Sequence, residues 1–517
     1  MRTENNGNGR GNGQSLRATS LIHLPDGRCV TPDVVNSPKG GRNGRMKLPP
    51  ATQSLTRETQ FEICPDGTLV DLVRERSGDI GFVVWRDGTP SFHGTYQNED
   101  VTLVPPRVHP SFVDAVRLPK TLGTSETPIT LLSEIDDVLG TYLDLDKSDR
   151  KLLGHFGLYT WLPDRPLVAP YLWILGLFSC GKTTLLHLLS AICRRSVVVG
   201  DVSPAALYTL TDSLRPTLLL DEFEMARDAR SRSLQQLLRN GSSQGQRVFR
   251  SSRAHDVFGP KVIASRYGAG DAALASRGLV VAMRPTTRDL PALDPDVLEG
   301  IADRLQPKLL AFRLENYARV KPVALASSCL TPRMRDIARA LALPLLGAPE
   351  LERELIEIVK PHDDQAKLDR HGELDWMVLT ALFGRIHIHD TDHTLTVGQL
   401  TKLVNSELTL LGESSRLDPG KVGEILRSLG FKTEKLGCHG RGFRISKRFV
   451  RSVHITAKNL WLCRGDILVP EAADDGHAVA PCRDCEEAGL MFDNEGKTLR
   501  SAEGGDWQPP DIYTRPE

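Results

Sequence analysis

No run of apolar residues in this sequence approaches the roughly 18 that cross a bilayer as a helix, so a membrane-spanning helical protein is not expected. No apolar leader with a cleavage site precedes the folded part, and a cytoplasmic location is the expectation. Net charge is also missing. The 65 Lys/Arg and 65 Asp/Glu cancel, so any contact with nucleic-acid phosphates has to be local. Cysteine is sparse, scattered and odd in number at nine, which speaks against a disulfide framework and for a reducing compartment. A single Cys482-x-x-Cys485 pair, with Cys463 and His477 as conceivable partners, is half of a zinc pattern, and free cysteines are the simpler reading. What is present, 40% hydrophobic and 25% charged residues over 517 positions, is a globular composition with room for about three domains.

The texture changes several times along the chain. Residues 1–55 are rich in Gly, Asn, Pro and Arg and lack periodicity, so a disordered arm is expected. Residues 56–125 read as a small β-rich accessory module, with FEIC, TLVDLV and IGFVVW as strands and Pro65-Asp66-Gly67 and Arg86-Asp87-Gly88 as turns. Amphipathic helices over 129–145 and 148–161 follow, and Pro163, Pro166 and Pro170 then impose an extended segment. From Tyr171 short apolar strands, at 171–175, 196–200, 217–220, 261–265 and 278–283, alternate with helical stretches. This predicts an α/β fold, a parallel five-stranded sheet with helices on both faces, over 126–290 with its leading helices. An all-helical lid or linker occupies 291–390. Residues 391–460 read as a winged helix, with helices at 397–410 and 419–429 and a hairpin with glycines at its tip. The tail, 461–517, is acidic, contains proline and is expected to be partly disordered.

The chemistry concentrates behind the strand YLWIL, where residues 176–184 read GLFSCGKTT and an apolar helix pattern follows. This fits G-x-x-x-x-G-K-[ST] in the strand-loop-helix setting that the motif requires. Residues Gly176, Ser179, Cys180, Gly181, Lys182, Thr183 and Thr184 would line an anion cradle at the helix N-terminus, suited to nucleotide phosphates. Lys182 would reach the β- and γ-phosphates, and the Thr183 hydroxyl would ligate Mg²⁺. Further on, the apolar TLLL ends in Asp221-Glu222. A carboxylate at a strand's end, Asp221, would hold the same cation, and Glu222 would orient and polarise an attacking water. Ser265, closing KVIAS, is the candidate for sensing the γ-phosphate. Arg277, just before GLVVAM, has the position of an arginine that completes a neighbouring subunit's site; the plain alternative is a surface arginine capping a helix end. Arg333 and Arg335 in TPRMRDIARAL are candidates for reporting nucleotide state from the helical region.

In that order, GLFSCGKTT, TLLLDEFE, FGPKVIASR and DAALASRGLVVAM resemble the P-loop ATPase core of AAA+ proteins. More closely, they resemble superfamily 3-like primase-helicases and replication ATPases of phages, plasmids and integrated elements. The resemblance covers roughly residues 125–460. It implies a ring, usually a hexamer, that hydrolyses ATP with Mg²⁺ between subunits and moves on single-stranded or forked DNA. It gives Lys182, Thr183, Asp221, Glu222 and Arg277 the roles described above. There are two departures. Ser265 stands where superfamily 3 has an asparagine, and no N-terminal primase-polymerase motif is present, so a primase would be a separate partner.

Two segments carry the charge that DNA contact would need. In GQRVFRSSRAHDVFGP, Arg247, Arg250, Arg253 and His255 surround a hairpin tip and would line a pore and track phosphates; a solvated surface hairpin is the other reading. Residues 416–460 hold eleven Lys/Arg against three acids, a net charge of +8 within a neutral protein. Lys421 and Arg427 would be exposed on the groove-entering helix, and Arg441 and Arg444 would sit on or near the wing; protein docking is the alternative use of such a domain. The expected function is an ATP-dependent, helicase-type DNA motor of a mobile element. The alternatives are a DNA-associated ATPase that loads or remodels proteins without unwinding, and a nucleotide-switched DNA-binding protein.

Overall fold

The computed structural model describes residues 55–459 except 75–77, 99–100, 222–228, 251–252, 269–271, 322–324, 326–328, 372, 388–393, 411–412, 414–415 and 438–439, and outside that range only four short strands. The chain divides into units 1–53 and 54–517. In the first unit β1 (Ile22–His23) pairs antiparallel with β2 (Cys29–Val30).

The second unit begins with β3 (Leu55–Glu58), β4 (Phe61–Ile63), β5 (Leu69–Arg74), β6 (Ile80–Arg86), β7 (Thr89–His93), β8 (Tyr96–Asn98) and β9 (Val101–Val104). Strands β4 to β7 form an antiparallel meander, turned at Gly67 and Gly88 with φ of 85° and 79°, which only glycine adopts without strain. After α1 (Pro110–Ala115) come α2 (Pro128–Tyr142) and α3 (Lys147–Tyr159), then β10 (Tyr171–Leu175), α4 (Lys182–Ile192), β11 (Ser196–Val199), α5 (Pro204–Leu214), β12 (Thr217–Leu220) and α6 (Ala229–Asn240). Thr127 and Ser203 cap α2 and α5 through their hydroxyls, each followed by a proline whose missing N–H is not needed there. The hairpin β13 (Arg247–Arg250) and β14 (Arg253–Asp256) precedes β15 (Lys261–Ser265), α7 (Ala272–Ala275) and β16 (Gly278–Ala282).

Strands β11-β12-β15-β10-β16, in that spatial order, make one parallel sheet, the α/β architecture expected. The strands alternate their side chains between two cores, and only β16, at the edge, leaves one face exposed at Val280 and Ala282. Leu172 and Ile174 of β10 join a cluster with α2, α3, α4 and the long helix α8 (Pro295–Asn316), while Tyr171 and Trp173 join one with α5 and α6. The N-terminal meander belongs to both clusters: Leu69, Val73 and Val83 enter the first, and Val70, Leu72, Phe82 and Val84 the second. Asp71, between them on β5, is 1% exposed and accepts hydrogen bonds from Arg194, Arg195 and Arg313.

Helices α9 (Pro332–Ala342) and α10 (Pro349–His371) pack on α3. A third core starts at α11 (Leu374–His387), ahead of residue 391, and draws in α12 (Val397–Leu410), α13 (Pro419–Ser428) and α14 (Lys447–Asn459). Between these helices β17 (Thr394–Thr396), β18 (Glu434–Lys435) and β19 (Arg441–Arg444) form an antiparallel sheet ordered β17-β19-β18. Phe431, Phe443 and Phe449 hold it to the helices, the last two stacked at 4.7 Å between centroids. Beyond α14 the structure describes only β20 (Met491–Phe492) paired with β21 (Leu499–Arg500). No helix among the described residues is long and apolar enough to cross a membrane.

Candidate active site

From β10 the chain leaves for β11 at the far edge of the sheet, so the strand order reverses at β10 and a crevice opens at its carboxyl end. The glycine-rich loop fills that position. Gly176 donates its N–H to the Ser265 carbonyl at 3.3 Å, and the Leu175 carbonyl accepts from the Met283 N–H at 2.7 Å. There is no room at Gly176 for a side chain, because a Cβ would lie 2.5 Å from Cys180 Sγ and 2.7 Å from the Met283 carbonyl. Ser179 and Gly181 take left-handed φ values of 58° and 87°. Gly181 caps α4 without a side chain, so the N–H groups of the first turn keep their donor capacity toward the loop. Cys180 is turned inward, its thiol donating to the Leu177 carbonyl at 2.9 Å, so it packs the loop from within. The Lys182 ammonium donates to the carbonyls of Gly176 and Leu177, both at 2.7 Å, across the mouth of the loop. Thr184 follows on α4, half-buried.

Thr183 is exposed, and its hydroxyl donates to Asp221 Oδ2 at 3.0 Å. Asp221 directly follows β12, which is not a neighbour of β10, so this bond reaches past β15 to join the loop helix to the end of β12. A hydroxyl and a carboxylate this close fit a small, hard cation that keeps its remaining positions for water and phosphate oxygens. Ser265 stands opposite Leu175 at the end of β15, between the loop and Asp221. Its side chain is 5% exposed and Oγ accepts from the Tyr267 N–H at 3.3 Å. Glu222 lies outside the described residues, as do Cys463, His477, Cys482 and Cys485.

Arg277 and Arg333 are not beside this loop. Tyr171, the first residue of β10, donates its N–H to the Arg277 carbonyl at 3.1 Å, which puts Arg277 at the amino end of the sheet. Over five residues the two ends of β10 stand roughly 13 Å apart. The Arg277 guanidinium donates to the carbonyls of Arg239 and Ala273 and to Ser242 Oγ, the helix-end contacts of the plainer alternative. Arg333 reaches the same edge, with Nε donating to the Ser276 carbonyl at 3.1 Å.

The hairpin β13–β14 forms as expected, but it leans on α5 and this divides its four basic residues. Arg247 and Arg253 are exposed, with Arg253 3.4 Å from Asp212. Arg250 lies over the Tyr208 ring and donates to Gln236 Oε1 at 2.8 Å. His255 is 8% exposed, its ring packed on Tyr208 and Nδ1 3.5 Å from Asp212, so it points into the protein and not toward a pore. Phe249, by contrast, is 71% exposed. On the third core Lys421 and Arg427 project from α13 into solvent. Arg441 is tied to Thr433, and Arg444 to Glu434 at 3.1 Å, so Glu434 offsets part of the charge near the hairpin.

Sequence reasoning alone misses the cluster at the loop mouth. Phe178, 64% exposed, carries the Arg266 guanidinium 4.0 Å over its ring, and Tyr267, 68% exposed, is beside it. The only available signal is two apolar residues, Leu177 and Phe178, at loop positions the motif leaves open.

No family model matches the chain, and no curated protein matches it. Among solved structures, the apo C-terminal region of NrS-1 (residues 305–718) aligns with 73% of this chain and 96% of its own, at 12% identity and a TM-score of 0.31. A full-length MCM homolog from Methanopyrus kandleri aligns with 55% of this chain and 74% of its own, at 12% identity and a TM-score of 0.33. Likeness at that level carries no weight, and the functional reading rests on the geometry of the site.

Proposed function

We propose that this protein is a Mg²⁺-dependent ATPase that works on DNA, and in its specific form a helicase-type motor of a mobile genetic element. The observation that carries the reading is the Thr183–Asp221 hydrogen bond at 3.0 Å, which joins the phosphate-cradling loop to a strand-end carboxylate. In this reading the N–H groups from Gly176 to Thr184 hold the phosphates, and Lys182 exchanges its loop carbonyls for phosphate oxygens. Thr183 and Asp221 would hold the cation, which supplies charge neutralisation on the phosphates when bound. Glu222, next in the chain, orients the attacking water and takes its proton as the γ-phosphorus bond to the bridging oxygen breaks. Ser265, between the two motifs, senses the γ-phosphate.

Arg277 and Arg333, at the amino end of the sheet and away from the loop of their own chain, serve the site of the next subunit in a head-to-tail ring, where closure by rotation makes such an interface repeat. Residues 391–460 act as a winged helix on DNA, with Lys421 and Arg427 toward the groove. Arg247 and Arg253 on the hairpin face the strand being moved, and the exposed Phe249 is suited to stack on a base.

Strand displacement on forked DNA tests the reading. Unwinding with ATP and Mg²⁺, lost in Lys182→Ala, is the expected outcome. ATP turnover without unwinding moves the assignment to a protein-loading ATPase, and absence of turnover by the intact protein overturns it.

A further inference from the structure

The third core carries an unusual distribution of charge. All ten described Lys and Arg residues between 416 and 451 are exposed. Lys421 and Arg444 have acidic neighbours, but Arg427, Lys432, Lys435, Lys447, Arg448 and Arg451 make no ion pair among the described residues. Lys447, Arg448 and Arg451 share the exposed side of α14, the last helix before the tail. The tail itself, 461–517, has thirteen Asp/Glu against five Lys/Arg, a net charge of −8. The segment 416–460 next to it holds eleven Lys/Arg against three acids, a net charge of +8. The two adjoining segments therefore carry equal and opposite net charges, and the rest of the chain sums to zero.

We propose that the acidic tail 461–517 docks on the basic face formed by α13, α14 and the β18–β19 hairpin and competes there with nucleic-acid phosphates, so that the protein carries its own inhibitor of DNA binding. Even at random-coil dimensions, 57 residues span roughly 40 Å root-mean-square, enough to return to any part of the domain from which they depart. Tethering sets its local concentration near the millimolar range, so a contact that is weak in solution suffices to hold it in place. Because the attraction is between exposed charges, it is strongest at low salt, and DNA, with a denser line of charge, displaces it. The consequence is selective. Short or sparsely charged nucleic acid is excluded, and a long strand or fork gains access. The proposal rests on the reading of this face as the DNA contact.

The test uses the full chain with all thirteen tail acids changed to Asn or Gln, compared with wild type by fluorescence anisotropy on a labelled oligonucleotide. The neutralised tail is expected to tighten DNA binding about tenfold at roughly 50 mM salt, with the gap closing toward about 500 mM. A synthetic peptide of residues 461–517, added in trans, is expected to bind the neutralised protein, to be displaced by DNA, and to lose binding when Lys447→Glu, Arg448→Glu and Arg451→Glu are combined. Those three side chains are exposed, and circular dichroism checks that the triple variant is folded. Equal DNA affinity of the two tails at low salt overturns the proposal while leaving the DNA reading intact. If neither protein binds DNA, the DNA reading fails, and the peptide decides: binding that depends on Lys447, Arg448 and Arg451 sustains the docking, and no binding overturns it.

Discussion

Replacing Asp71 by asparagine removes one charge from the most deeply buried ionic cluster among the described residues and leaves its shape almost unchanged. Arg194 Nη2 donates to both carboxylate oxygens at 2.8 and 3.0 Å, Arg195 Nη2 to Oδ1 at 2.6 Å, and Arg313 Nε to Oδ2 at 2.6 Å. Arg313 also donates to Asp164 at 2.9 and 3.2 Å, so three guanidiniums face two carboxylates. In Asp71→Asn they face one. The cost of removing one partner from a buried ion pair is about 3–5 kcal/mol, set by the charge left without compensation, and no cavity adds to it. The pH dependence carries the same signature. Burial opposes ionisation of Asp71, but Arg194, Arg313 and Arg195 overcome it and hold the carboxyl well below the usual range. A carboxylate depressed on folding gives stability that is complete above its unfolded pKa of about 3.9 and is lost as pH falls below it. Wild type is therefore expected to weaken steeply between about pH 5 and 2, and the variant to weaken less over that span. Urea unfolding followed by tryptophan fluorescence reads both effects, since the Trp161 carbonyl accepts from Arg313 at 2.6 Å and the indole is buried beside the cluster. A loss below about 1 kcal/mol at pH 7, or an acid limb identical to wild type, would refute the reasoning.

Gly176→Ala places a methyl group 2.5 Å from Cys180 Sγ and 2.7 Å from the Met283 carbonyl; nucleotide affinity, measured by calorimetry, should fall at least tenfold while the thermal midpoint drops only modestly. Thr183→Ala removes the hydroxyl 3.0 Å from Asp221 and should raise the Mg²⁺ concentration for half-maximal turnover by about tenfold, and an unchanged Mg²⁺ titration argues against that site. Arg277→Ala and Lys182→Ala subunits, each inactive alone, should recover partial turnover when mixed, because Arg277 lies at the opposite end of β10 from the loop of its own chain; a mixture as inactive as its components would remove the shared-site reading.

Much of the architecture is legible because its signals are local. Buried parallel strands are unbroken apolar runs ended by glycine, proline or charge, so β10, β12 and β15 have the bounds read from the sequence. Helix α5 is equally plain, with Ser203 as cap and Pro204 at its first turn. The edge location of Arg277 is implicit too, since a residue just before a strand parallel to β10 must lie at its amino end. Other features depend on pairings that no window contains. Asp71 meets Arg194 across 123 residues and Arg313 across 242, and each alone reads as an ordinary solvated charge. The accessory module reads as separate for the same reason: strands alone do not reveal that Leu69 and Phe82 complete cores built by later helices. His255 shows the limit of periodicity, which gives the alternation along a hairpin but not the face that α5 will cover.

The central claim is that the loop at 176–184 and the Asp221-Glu222 pair form one ATP-hydrolysing site whose work is coupled to DNA. Steady-state ATP hydrolysis by the full-length protein, with and without single-stranded DNA, alongside Lys182→Ala and Glu222→Gln, tests it most directly. The expected result is Mg²⁺-dependent turnover raised several-fold by DNA and reduced at least a hundredfold in both variants, with Glu222→Gln still binding ATP. Turnover in Glu222→Gln at the wild-type level, or turnover indifferent to DNA, would contradict it.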